Sequence, residues 1–471
     1  MKSSLRKESR TSAEFDLLLE LAAAKGRRSA LELALRDAIR AGRLRAGTRL
    51  PSSRVLAREL GMARSTVSDA YSQLVAAGYL ETQQGAGTWV ASNAAARPVE
   101  EFEEPAAADP RFDLRPHLPD LNRFPRTAWA RALGRALTDA SDSVFAPSDP
   151  RGRPELRRSL TEYLARSRGA VTSPRQLLVC NGFCQGLRLL CDVLRERGAR
   201  RIALEDPCLF LHPPIVRAAG LEVVPVPVDR DGLIVARLAE TSADAVVVTP
   251  AHQFPLGATM SPRRRAALVA WAQENDAFIV EDDYDGEFRY DRQPVASVQG
   301  LDPERVVYAG TASKTLAPGL RLAWLALPPP LIAAAAVHRG LADRYAPVFD
   351  QLALAELIDR GDFDRHVRKM RLHYRGRRDK LLAEIRDAAP QLQPSGIAAG
   401  LHLVLELPPG LTEAAIVAAA QQRSIGLFGL ATFRHGPFKH DQALVVGYGA
   451  PPDHNFDASV NALTSLLVMV T

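Results

Sequence analysis

The sequence predicts an α/β protein in two unlike parts: a small, mostly helical module, then a large, mainly parallel sheet with helices on both faces. Three observations predict it. From residue 113 onward, short and nearly continuous apolar runs alternate with amphipathic helical periods, the pattern of strands buried on both faces. Residues 91–112 form an Ala-rich stretch with Pro98, Pro105 and Pro110 and an acidic run at Glu100, Glu101, Glu103 and Glu104. Having no apolar period to bury, that stretch reads as a linker. Ahead of it, residues 27 to about 90 alternate short helical patterns with glycine turns, and the module they form is placed over 14–90.

The composition, 46% hydrophobic and 24% charged over 471 residues, is that of a globular chain with more than one core. No apolar run reaches the ~18 residues that a membrane helix needs, and the charged, Ser-rich start from Met1 to Arg10 is no secretory signal. A cytoplasmic protein without a membrane partner is expected. Four cysteines, Cys180, Cys184, Cys191 and Cys208, crowd one stretch without a CxxC spacing. Cys208 and His212 lack the second pair that a metal site requires, so reduced, mostly buried thiols and no metal are expected. Residues 1–90 hold 15 Lys or Arg against 9 Asp or Glu, whereas the rest of the chain balances at 45 each. A basic excess confined to the first fifth points to a nucleic-acid partner for that segment.

The elements of the first module follow in order. Residues 29–45 have the period of an amphipathic helix that ends in the turn Ala41-Gly42-Arg43-Leu44. Ser52 or Ser53 caps a second helix over 54–60, which Gly61 ends. Residues 63–67 open a third helix whose buried face is Val67, Tyr71 and Leu74. Two helices across a short turn fit a helix-turn-helix. Residues 80–82 and 88–90 then pair as a hairpin around a Gly-rich tip with Gly85 and Gly87, a wing. Arg64, Ser65 and Thr66 stand at the start of the third helix, where side chains and free N–H groups meet phosphates and base edges, and Arg54 lies in the first turn of the second. The words "LPSSRVLARELGMARSTVSDAYSQLVAAGYLETQQGAGTWV" resemble the GntR-type winged helix, which implies a double-stranded DNA operator as partner.

In the large part, residues 177–180, 202–205, 222–228, 245–249, 278–281, 305–309 and 321–327 read as strands, with helices at 185–195, 213–219 and 262–274 between them. After residue 330 long helices dominate, 363–387 the longest, with strands at 401–407 and 444–448; a smaller α+β lobe over 330–471 is expected.

One strand of this part runs through Thr311 and Ser313 to Lys314. A lysine at the carboxyl end of a parallel sheet sits where such folds bind ligands, and desolvation makes it a nucleophile for aldehydes. Most lysines are merely solvated, but Thr311, Ser313 and Arg321 together suit a phosphate. Asn181-Gly182-Phe183 leads from a strand into a helix and offers a second phosphate cradle. Another strand ends in Glu281-Asp282-Asp283-Tyr284. Either these are solvated strand-end carboxylates, or a buried one has a cationic partner such as a protonated pyridine.

The words "DPRGRPELRRSLTEYLARSRG", "SPRQLLVCNGFCQGLRLL", "TPAHQFPLG", "EDDYDGEFRY" and "GTASKTLAPGLRLAWL" resemble the fold-type I aminotransferase domain of the MocR subgroup of GntR regulators. The resemblance covers nearly the whole chain in the family's order. It implies pyridoxal 5′-phosphate (PLP) as cofactor on Lys314 as an internal aldimine, Asp282 at the pyridine nitrogen and Tyr284 at the ring hydroxyl. Thr311, Ser313 and Arg321 would surround the phosphate, with Gly182 and Phe183 contributing from the helix start. A head-to-tail homodimer is implied as well.

Three positions depart from the family. Cys208-Leu209 stand where a Gly-Tyr pair usually brings the ring-stacking tyrosine, with Phe210 one residue off as a substitute. Pro147-Ser148 precede Asp149 where a tyrosine often reaches the partner's phosphate. The last strand carries Val445 near the place of an arginine that holds the substrate carboxylate, leaving Arg434 or His435 to compensate. The sequence therefore predicts a regulator that senses PLP, or an amine reacting with it, without catalytic residues of its own, and first a pyridoxine-pathway regulator of the PdxR type. A true aminotransferase with a DNA-binding appendage is the alternative.

Overall fold

A computed structural model describes residues 26–83, 87–92, 109–116, 118–290, 295–438 and 441–470. The chain divides into two compact units, Met1–Ala107 and Ala108–Thr471.

In the first unit the helices Arg27–Arg40, Ser53–Glu59 and Arg64–Ala76 close on one core of Leu31, Leu35, Ile39, Leu56, Val67 and Leu74. The first helix ends at Arg40, at the turn expected over residues 41–44. Gly42 turns at φ +69°, and its N–H donates to Ile39 O, so the chain folds back and buries Leu44. The Ser52 hydroxyl caps the second helix by accepting from Val55 N at 3.3 Å. The short strand β1 (Arg49–Leu50), invisible in the sequence pattern, pairs with β3 (Gly87–Val90), which in turn pairs with β2 (Leu80–Gln83), all antiparallel.

The second unit opens with β4 (Phe112–Asp113) and is built on a large sheet. Its strands are β5 (Leu177–Cys180), β6 (Arg201–Asp206), β7 (Glu222–Asp229), β8 (Gly232–Leu233), β9 (Ala245–Val248), β10 (Phe278–Asp283), β11 (Val306–Thr311) and β12 (Ala323–Ala326), in the order β5-β12-β11-β10-β9-β6-β7-β8. The pairs from β11 through β7 are parallel, whereas β12 and the edge β8 run antiparallel. From β6 the chain steps outward to β7, and from β9 it steps the other way to β10. The gap between the carboxyl ends of β6 and β9 is therefore the point where strand order reverses, the place where such sheets leave a crevice.

A smaller antiparallel sheet follows, β13 (Gln393–Ser395), β14 (His402–Glu406), β17 (Ala443–Gly447) and β16 (Phe428–Gly429), in that spatial order. The fifth strand of this lobe, β15 (Ile425–Gly426), pairs in parallel with β4. The smaller lobe does not begin at residue 330. Leu331 and Ala335 of the helix Pro329–Asp343, and Ala353, Leu354, Ala355, Leu357 and Ile358 of the helix Val348–Asp359, are buried among the large sheet's own side chains. The 27-residue helix Asp362–Ala388 is the bridge: Phe363 and Val367 pack in the large core, Met370, Tyr374, Leu381 and Ile385 in the small one. Leu114 joins that small core too, so both ends of the unit build the lobe. An ion-pair cluster fastens it, with Arg377 Nη2 2.9 Å from Asp120 and 2.8 Å from Asp453.

Candidate functional site

In the first unit Arg64 and Ser65 are exposed and Thr66 half-buried in the opening turn of the third helix, and Arg54 is exposed in the opening turn of the second. Ala63 supplies no side-chain cap to the third helix, so its first N–H groups stay open to an anion. Gly87 stands at φ +129° at the start of β3, and a Cβ there would lie 3.1 Å from Arg49 Nε. The Arg49 guanidinium rests over the Trp89 ring at 5.7 Å, which adds a cation at the base of the wing that sequence reasoning passed over. Gly85 lies outside the described residues.

In the second unit the reversal of strand order holds a cavity lined by Glu205, Leu209, His212, Phe254, Asp282, Tyr284 and Lys314 among others. The backbone decides which acid enters it. Side chains alternate along β10, so Asp282 faces the cavity while its neighbours point the other way. Glu281 accepts from Val298 N and Gln299 N at 3.0 and 2.9 Å, and Asp283 pairs with Arg168 at 2.6 Å and Tyr308 at 2.6 Å. Asp282 is 6% exposed. Burial, reinforced by the charges of Asp283, Asp285 and Glu205, pushes its carboxyl well above the usual range; Lys314 opposes them. An ionised Asp282 thus calls for a further cation.

Half-buried Lys314 follows β11 on the same wall. Burial brings its amine down to about 8, against the pull of Asp285 and Asp282. Near neutral pH a useful fraction is then unprotonated and nucleophilic. Thr311 Oγ1 donates to Ser313 Oγ at 2.8 Å and accepts from Ser313 N at 3.1 Å. Arg321 is held in the left-handed region at φ +52°, and its Nη2 donates to Asn181 O at 2.7 Å. That brings the guanidinium against Gly182, whose φ of +84° favours glycine and where a Cβ would push the Arg321 guanidinium aside. The helix Phe183–Glu196 starts at this contact. Arg321 and Gly182 thus bring a guanidinium to the start of the helix at Phe183, and the Thr311 and Ser313 hydroxyls are hydrogen-bonded to one another at the end of β11. A phosphate is the ligand that such a set suits.

Several neighbours escaped the sequence reading. His212 opens the helix His212–Ala218, edge-on to Phe183 at 5.4 Å, and its Nε2, 3.8 Å from Asp282 Oδ2, makes no hydrogen bond. Burial drives it down to about 4, so it is neutral. The two prolines after it mark a helix start, a signal that locates the helix and not the site. Glu205, pushed up to about 7 by burial, accepts on Oε2 from Thr249 N, Thr249 Oγ1 and Gln253 Nε2. Behind Tyr284, His252 Nδ1 lies 2.9 Å from the phenol and 2.9 Å from Asp285. Of the compensating residues, Leu209 lines the cavity, but Phe210 is 46% exposed and leans on Phe433 outside it. Arg434 donates to Asp441 O, and His435 Nε2 lies 2.8 Å from Glu205 O; neither lines the cavity.

Residues 27–90 match the family described as bacterial regulatory proteins of the gntR family, and residues 118–432 match aminotransferase class I and II. A probable rhizopine catabolism regulatory protein, MocR of Rhizobium meliloti, is 34% identical over 460 residues, covering 92% of each chain. The pyridoxine biosynthesis transcriptional regulator PdxR of Corynebacterium glutamicum is 34% identical over 423 residues, covering 88% of this chain and 90% of its own. Among solved structures, a kynurenine aminotransferase of Pyrococcus horikoshii superposes with a TM-score of 0.69 at 23% identity, over 77% of this chain and 91% of its own, and shares the fold. A winged helix joined to an aminotransferase-like domain defines a class, the DNA-binding transcription regulators of composite build. The chain belongs to the GntR family, and within it to the MocR-type regulators that carry an aminotransferase class I and II domain.

Proposed function

We propose that the larger unit binds PLP on Lys314 and that PLP, or an amine reacting with it, changes the affinity of the winged helix for its operator. The observation that carries this reading is the pairing of a nucleophilic lysine with a buried acid lacking sufficient cationic charge, both on one cavity beside a phosphate-suited cradle. The residues fit the group. Asp282 would meet the pyridine nitrogen, Tyr284 the ring hydroxyl, and Thr311, Ser313, Arg321, Gly182 and Phe183 the phosphate. When bound, PLP supplies an aldehyde that condenses with primary amines. The chain's own part is to hold and orient it: Leu209 covers the cavity with an aliphatic side chain, and the His252–Asp285 pair fixes the Tyr284 phenol.

Likeness to PdxR supports a role in vitamin B6 control, and likeness to MocR a role in amino-compound metabolism. The protein works as a head-to-tail homodimer in the cytoplasm. It senses and does not turn over, because the cavity offers no arginine for a substrate carboxylate among the described residues. Borohydride reduction of PLP-treated protein followed by peptide mapping tests the cofactor reading: the pyridoxyl mass belongs on Lys314. Label spread over surface lysines, or none, overturns it. The rival reading, an aminotransferase with a DNA-binding appendage, draws on the shared fold. Sustained keto-acid production that is lost in Lys314→Ala would establish that reading instead.

A further inference from the structure

The cavity at Lys314 has a second character once the cofactor's contacts are set aside. Its remaining wall is apolar, with Pro116, Cys208, Leu209, Val248 and Phe254. Behind Phe254 the apolar character deepens. Phe433 meets Phe254 edge-on at 5.1 Å, Phe428 meets Phe433 at 5.8 Å, and buried Leu430 and Val445 complete the cluster.

Its charges are equally one-sided. Asp282 and Glu205 both line the cavity, and Glu205 Oε1 is buried with no hydrogen-bond partner. Among the described residues Lys314 is the sole lysine or arginine in the lining. The arginines nearby are engaged elsewhere: Arg289 donates to Ala251 O at 3.3 Å and Thr259 Oγ1 at 3.1 Å, Arg434 to Asp441 O at 2.9 Å, and Arg321 to Asn181 O at 2.7 Å. A ligand carboxylate entering here would leave water for two buried acids and an aromatic wall, with Lys314 as the sole lysine or arginine among the described lining residues and that lysine taken up by the cofactor. An apolar body would gain from the same wall, and an N–H donor would find the spare oxygen of Glu205.

We propose that the effector taken up beside Lys314 is a primary amine with an apolar body and no carboxylate. This rests on the reading that the Lys314 cavity is the effector site, and it narrows that reading to one ligand class. Matched pairs separate the carboxylate from the rest of the molecule: 2-phenylethylamine against L-phenylalanine, and 3-methylbutylamine against L-leucine. Each is titrated into the PLP-loaded full chain at one pH, followed by calorimetry, by the visible spectrum and by the shift in thermal unfolding.

The expected result is binding of each amine at least about tenfold tighter than its amino acid, a difference of about 1.4 kcal/mol. In Leu209→Arg, which puts a cation on the cavity wall, the gap should narrow. Should that variant fail to fold, the wild-type pairs decide alone. Equal or tighter binding of the amino acids overturns the inference, as does the absence of binding by both amines while PLP remains on Lys314. A chain that takes up no PLP at all is a different failure, which removes the proposed function and this inference together.

Discussion

Arg321 shows how a single residue joins backbone strain to a binding role. A non-glycine residue at φ +52° costs about 1–3 kcal/mol, and the return is a guanidinium pressed against the start of the helix Phe183–Glu196. Arg321→Gly relieves the backbone and removes the cation. We expect unfolding of the cofactor-free protein, measured in denaturant, to change by less than about 1 kcal/mol while PLP affinity falls about tenfold or more. Equal losses in both would make Arg321 a structural residue. Lys314 offers a test by pH. With its amine at about 8, the neutral form grows as pH rises to that value and is nearly complete beyond it. The rate of PLP capture, followed by stopped-flow absorbance, should climb about tenfold per unit below that pH and level off above it. A rate still climbing past pH 10 would be that of an ordinary solvated lysine.

At the scale of elements, the start of a helix recurs as the working part. The helix Arg64–Ala76 presents Arg64, Ser65 and Thr66 on its first turn, without a side-chain cap to occupy its N–H groups. Arg64→Ala should cost about 1–3 kcal/mol of operator binding if the side chain reads a base edge. Arg54→Ala should weaken all DNA alike and lower the salt slope by about one. Gel shifts over a salt series measure both, and unchanged shifts in the two variants would put the recognition surface elsewhere. On the proposed reading the helix Phe183–Glu196 is used in the same way in the other unit, with Gly182 at its sensitive point. Gly182→Ala, with a Cβ against the Arg321 guanidinium, should displace that side chain and weaken PLP binding while leaving DNA binding in the absence of PLP unchanged.

For the whole molecule, the expectation is coupling without turnover. A transaminase must hold its substrate while a proton leaves, and poor orientation alone removes several orders of magnitude of rate. Val445 lies in the buried apolar cluster beside the cavity and brings no charge to it. Amino acids should therefore give at most slow spectral change and no steady keto acid. PLP should alter operator affinity, and Lys314→Ala should blunt that response. An operator affinity indifferent to PLP in the wild type would leave the large unit without a sensory role.

The sequence by itself determined the class of each part. Alternation of apolar runs with helical periods is a local signal that survives without tertiary contacts, and so the order of strands and helices, the wing and the Lys314 segment were legible. Tertiary structure decided what lies across the sheet. His212 and Glu205 share the cavity with Asp282 because β6, β9 and β10 are neighbours, although 70 residues separate His212 from Asp282 in the chain. The small lobe's true start was hidden for the same reason: the helix periods after residue 330 are alike, and only packing reveals that two of those helices bury their faces on the large sheet. Periodicity records which face of an element is buried; which other element buries it is a property of the folded chain.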